Sequence, residues 1–74
     1  MRGETKMKIT RNTGELAPGT VVSLPDGEVV EILKYIESSE IYRVRFLEFD
    51  GSEFVPDGEE RFIAAYDLIG ALIV

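Results

Sequence analysis

The 74-residue chain has no cysteine, no histidine and no tryptophan. Without cysteine no disulfide framework can staple a small domain. Without histidine the usual neutral-pH acid–base group is missing, and with neither residue a Cys/His zinc site is excluded. No apolar run approaches the ~18 residues that span a bilayer. The charged start, Met1-Arg2-Gly3-Glu4-Thr5-Lys6-Met7-Lys8, is not followed by the apolar stretch of a signal peptide. A cytoplasmic protein with no membrane partner is expected, in keeping with the absent cysteines. Nor is there a nucleophile–base pair: Ser23, Ser38, Ser39 and Ser52 stand in no catalytic motif. Glycines occur in turn-forming segments and not in a phosphate-binding pattern. The expectation is a protein that is not an enzyme and carries no cofactor or metal.

What is present is a single domain near the lower size limit for an unaided core, with 45% hydrophobic residues to build one. The net charge of −6 is unevenly placed. In residues 1–15, Arg2, Lys6, Lys8 and Arg11 outweigh Glu4 and Glu15, leaving +2. In residues 16–74, Lys34, Arg43, Arg45 and Arg61 face twelve acids, leaving −8. An acidic body argues against nucleic acid as a partner. Residues 1–15 read as a flexible basic arm and 16–74 as the folded domain, although Met7-Lys8-Ile9-Thr10 has the composition of an added edge strand.

From Leu16 onward the pattern is that of strands. Thr20–Leu24 is a β-branched run, and Pro25-Asp26-Gly27 carries the residues of a tight turn. Glu28–Ile36 is a second strand; Val29, Val30, Leu33 and Ile36 also fall near helical spacing, but the β-branched content and the preceding turn favour a strand. A bulge between Val29 and Ile32 would decide which valine points inward. Ile41–Phe49 is the clearest strand, with Tyr42, Val44 and Phe46 alternating with Arg43 and Arg45. Residues 50–60 read as a long polar connection, Arg61–Tyr66 as a fourth strand, Asp67–Gly70 as a short helical turn and Ala71–Val74 as a fifth strand. Such a meander buries one face by curling, giving an all-β, five-stranded antiparallel small barrel. The expected core is Val21, Val22, Val29, Ile32, Val44, Phe46, Phe62, Ile63, Leu68 and Ile73.

The order Pro18-Gly19-Thr20-Val21-Val22, Gly27-Glu28-Val29-Val30-Glu31-Ile32, Tyr42-Arg43-Val44-Arg45-Phe46 and Phe62-Ile63-Ala64-Ala65-Tyr66-Asp67-Leu68 resembles Src-homology-3-like small barrels of Tudor-like and KOW-like flavour. The resemblance covers roughly residues 17–74 and rests on hydrophobic spacing. It implies a short 3₁₀ turn before the last strand and a role as a recognition module. The chain departs from those families in lacking a tryptophan, an ALYDY-type segment and the basic surface of RNA-associated members.

Three features stand out as candidates for function. Glu48, Asp50, Glu53, Asp57, Glu59 and Glu60 place six carboxylates in thirteen residues without a base. Such a stretch suits a basic protein partner, or imitates DNA phosphates in an antirepressor-type protein, or only keeps the domain soluble. Its spacing does not match a twelve-residue calcium loop. Tyr35, Tyr42, Tyr66, Phe49 and Phe54 are aromatics that, edged by carboxylates, suit an Arg, a methylated Lys or a Pro-rich peptide; the competing reading is that Tyr42 is core and the others roof the barrel. Finally, five of the seven residues Leu68–Val74 are large and apolar. If that strand is an edge, Ile69, Leu72 and Val74 form a homodimer or assembly interface. The leading expectation is a binding module using Glu48, Asp50, Glu53, Glu59, Glu60, Tyr35, Tyr66 and Phe49.

Overall fold

The computed structural model describes residues 7–74. They form β1 (Met7–Lys8), β2 (Val21–Ser23), β3 (Val29–Ile36), β4 (Ile41–Phe49), β5 (Phe54–Ala64), a 3₁₀ turn (Ala65–Leu68) and β6 (Leu72–Ile73). The expected all-β antiparallel class holds, and so does a 3₁₀ turn before the last strand. The count and closure differ. Six strands lie in the order β1-β6-β2-β3-β4-β5, and no ladder joins the outer strands β1 and β5. β1 is two residues long and the first half of β5 is interrupted near Pro56, so the two outer strands do not match in length or regularity. No helix among the described residues is long and apolar enough to cross a membrane.

Turn chemistry sets the hairpins. Between β2 and β3, Leu24 N–H donates to the Glu28 carbonyl at 2.7 Å and Gly27 N–H to the Leu24 carbonyl at 2.9 Å. Gly27 takes φ 95°, which a side chain would strain. β3 and β4 then pair regularly from Val29↔Leu47 to Ile32↔Val44, so Val30 is the valine that points inward. The register shifts later, between Ile32 and Lys34, where Leu33 is the extra residue.

The expected connection over residues 50–60 is mostly strand. The chain turns only at Asp50–Glu53 and pairs again from Phe54, opposite Phe49. Leu47 faces Pro56 and Arg45 faces Glu60, leaving Asp57, Gly58 and Glu59 as a turn-like excursion opposite Phe46. Gly58 (φ 95°) and an Asp57 carboxylate that accepts the Glu59 N–H at 2.8 Å shape this excursion. Pro, Gly and charged residues are tolerated because β5 bonds on one side only.

The core lies on one face of the sheet. Val22, Val30, Ile32, Tyr42, Val44 and Phe46 are buried there, capped by Ile9, Leu16, Leu68 and Ala71. Val21, Val29, Ile63 and Ile73 are half-buried; Phe62, expected in the core, is 63% exposed. Strand alternation explains the exchange: Ile63 faces Tyr42 on the inner side, which sends Phe62 outward beside Arg43. The boundary expected at Leu16 also moves, since Met7–Lys8 pair with β6 and Ile9 is buried. Ile9 N–H donates to the Ala71 carbonyl and its own carbonyl accepts the Gly70 N–H, both at 2.8 Å. The part of the expected arm in residues 1–6 lies outside the described residues.

One polar contact ties the cap to the sheet. The Tyr42 hydroxyl, in the core, accepts the Leu16 N–H at 2.9 Å. Removing that acceptor leaves a buried amide unpaired, a loss of about 1–3 kcal/mol. Tyr42→Phe is accordingly expected to lower the unfolding free energy by about that amount in urea titrations, with the Leu16 amide exchanging faster.

Candidate functional site

The expected site residues fall into separate places. Glu48, Phe49, Asp50 and Glu53 cluster at one end of β4, in the β4–β5 hairpin, whereas Tyr35 faces Tyr42 at the other end. At about 3.3 Å per residue, the two ends are more than ~20 Å apart. Glu59 and Glu60 lie between them and are neutralised: Glu59 pairs with Arg61 and Glu60 with Arg43, both at 2.6 Å. Arg45 likewise pairs with Glu31 at 2.8 Å. The cross-strand rows Glu31–Arg45–Glu60 therefore read as mutual compensation on the outer face.

At the hairpin end, Asp50 has a local task. Its carboxylate accepts the N–H groups of Ser52 at 2.8 Å and Glu53 at 2.9 Å, and its own N–H donates to the Glu53 carbonyl at 3.0 Å. These bonds from Glu53 and Ser52 hold the Asp50 carboxyl below its ordinary 3.8. Phe49 and Phe54 stack beside it with ring centroids 5.4 Å apart. Glu48 is on the inner side by alternation, opposite Val55. Among the described residues no three carboxylates come together as metal ligands.

Tyr35 and Tyr66 do come together. They line a groove of about 430 Å³ with Glu15, Glu40, Arg11 and Ile69. Tyr66 stands on the 3₁₀ turn, 76% exposed, while Tyr35 packs on Tyr42 with centroids 4.7 Å apart. The Tyr35 phenol is pushed above its ordinary 10.0, first by partial desolvation, then by the Glu40 carboxylate, the Tyr42 phenol, Glu37 and Glu15. It stays neutral and able to donate, in a negative field. Glu40 has the one positive φ outside glycine, 53°, among the described residues. The β3–β4 turn forces this: Glu40 N–H donates to the Glu37 carbonyl, and its carbonyl accepts the Ala65 N–H at 2.9 Å. A glutamate in that region costs roughly 1–2 kcal/mol, and it sets the carboxylate at the groove rim.

Glu15 and Glu40 were absent from the expected site. Both lie outside the dense acidic stretch, and only the fold carries them to the tyrosines. The expected assembly residues also divide. Ile69 lines the groove, and Leu72 sits in β6, which pairs with both β1 and β2. The C-terminal strand is thus interior, not an edge; Val74 is exposed, but its N–H donates to the Val21 carbonyl at 2.9 Å.

No family model matches the chain, and neither curated proteins nor solved structures provide a match. The groove's chemistry alone therefore bears on its use. Two tyrosines and two carboxylates line it beside Arg11, and among the described residues neither Glu15 nor Glu40 forms an ion pair.

At the hairpin, a carboxyl held below its ordinary value stabilises the fold fully above 3.8, and this contribution disappears as pH falls through the depressed value. Proton titration by NMR is expected to show the Ser52 and Glu53 amide signals moving together, with a midpoint below 3.8.

Proposed function

We propose that the protein is a non-enzymatic binding module whose groove between Tyr35 and Tyr66 takes a basic side chain of a protein or peptide. The observation that carries this reading is the convergence of both tyrosines with Glu15 and Glu40 on one groove. A guanidinium or ammonium group entering it meets aromatic faces and carboxylates at once. The acidic stretch around Glu53 serves a different purpose in this reading: it keeps the domain soluble and steers a basic partner from a distance. The Tyr-x-Val-x-Phe strand and the 3₁₀ turn support placing the sheet with the Src-homology-3-like small barrels, opened at the β5 edge, where a recognition role is the general expectation. A DNA-mimic role has less support, because Glu59 and Glu60 are bound to arginines of the same chain.

The test is an NMR titration of the native chain with a short Arg-rich peptide, beside the same titration with an acidic peptide. Shifts are expected at Glu40, Ala65 and Tyr66 with the first only, weakening as salt rises. Tyr66→Ala, at an exposed position, is expected to leave the fold intact and lower the affinity about 3- to 30-fold. Glu53→Gln is expected to change it little. Equal loss in both variants, or shifts centred on the β4–β5 hairpin, would remove the groove from the proposal.

Glu40 gives a second, independent reading of the same site. Relief of its left-handed backbone in Glu40→Gly, offset by the greater chain entropy of glycine, is expected to raise stability by roughly 0.5–1 kcal/mol. The same variant is expected to bind the Arg-rich peptide more weakly. Paired thermal melts and titrations read both effects.

A further inference from the structure

The second outer strand of the sheet carries a different kind of surface. β5 has eleven residues, and among the described residues its hydrogen-bonded neighbour is β4 alone. The Ala65 N–H donates to the Glu40 carbonyl, which makes that pair the hydrogen-bonded kind. Such pairs alternate along an antiparallel ladder. Ile63 and Arg61 therefore bond toward Tyr42 and Val44, while Ala64, Phe62 and Glu60 turn their N–H and C=O groups outward. No loop of the described residues bonds to these groups.

The two halves of this edge are unlike. Pro56 and the Asp57–Glu59 excursion break the first half, as protected edges do. The second half, Glu60–Ala64, is regular, and Phe62 stands on it 63% exposed. Its two charged side chains are already bound, Glu60 to Arg43 and Arg61 to Glu59.

We infer that two copies of this chain pair antiparallel through Glu60–Ala64 of β5, about a two-fold axis at Phe62, to form one continuous sheet. The segment is self-complementary in that register. Phe62 meets its counterpart, Glu60 meets Ala64, and Arg61 meets Ile63. All three outward-facing residues of each copy then find partners, giving about six main-chain hydrogen bonds. No like charges stand opposite one another. Centring the axis on Arg61 or Glu60 would oppose like charges, which destabilises a strand pair. Centring it on Ile63 leaves only Phe62–Ala64 within the strand. This contact is independent of the groove, and its salt response has the opposite sign. Each copy carries −6, so screening of their repulsion strengthens the pair.

Sedimentation of the native chain over rising concentration, at low and high salt, reads the association directly. A dimer fraction that grows with both is expected. Phe62→Asp, a change at an exposed position, is expected to weaken the dimer at least about tenfold with an unaltered circular dichroism spectrum. Because the chain has no cysteine, Phe62→Cys supplies a unique probe: the paired Cα atoms would stand ~5.5 Å apart, within disulfide range. It is expected to form a disulfide dimer under mild oxidation, whereas Glu53→Cys stays monomeric. A native chain that remains monomeric at about 1 mM in high salt, or a dimer that Phe62→Asp leaves intact, overturns the inference whatever the groove binds.

Discussion

The packing around Tyr42 is the constraint on which the rest of this protein depends. Its ring is buried on the sheet's inner face at the start of β4, between Tyr35 and Ile63 in one cross-strand row. Its hydroxyl holds the Leu16 amide at 2.9 Å, and through it the N-terminal segment that caps the core. A buried amide of a non-regular segment needs an acceptor, and no strand supplies one there. One side chain therefore fills the core, anchors the cap and backs the wall of the tyrosine groove. Because Tyr35 rests on Tyr42, one wall of the groove is continuous with the core.

Charge is distributed in the same economical way. Three arginines of the sheet, Arg43, Arg45 and Arg61, each hold a carboxylate, and Arg61 also lies 5.0 Å from the Phe46 ring centre. Arg61 thereby lays its guanidinium against an edge of the core. These pairs are exposed or half-exposed, where each contributes little to stability. Their more evident effect is on the outer surface, where they neutralise Glu31, Glu59 and Glu60 within the chain itself.

The strand Ile41–Phe49 was legible to the residue, because inward Tyr42, Val44 and Phe46 alternate with outward Arg43 and Arg45 over its middle. The turn at Pro25-Asp26-Gly27 was legible for a similar reason, since its residues carry their backbone preferences locally. β5 was half hidden. A strand bonded on one side can carry Pro56, Gly58 and three acids, and so has the composition of a loop. Met7-Lys8-Ile9-Thr10 showed the composition of an edge strand, but the burial of Ile9 and Leu16 was hidden: each is a single apolar residue in a polar segment, and a single residue has no period. The tyrosines were named from sequence, but the acids that the fold brings beside them are Glu15 and Glu40, not those of the dense stretch. A dense run of carboxylates is conspicuous in sequence, whereas Glu15 and Glu40 are isolated.

By itself the sequence determined the all-β class, the hairpin order and most of the inner face, because these follow from side-chain alternation and turn residues acting over a few positions. Tertiary structure alone decided what the chain's ends and edges do. It put β6 between β1 and β2, left β5 with a free edge, turned Phe62 outward, and carried Glu15 and Glu40 to Tyr35 and Tyr66. The physical reason is one of range. Local rules fix which way a side chain leaves its strand, but which strand becomes the edge, and which distant loops meet, depends on how the whole sheet is covered.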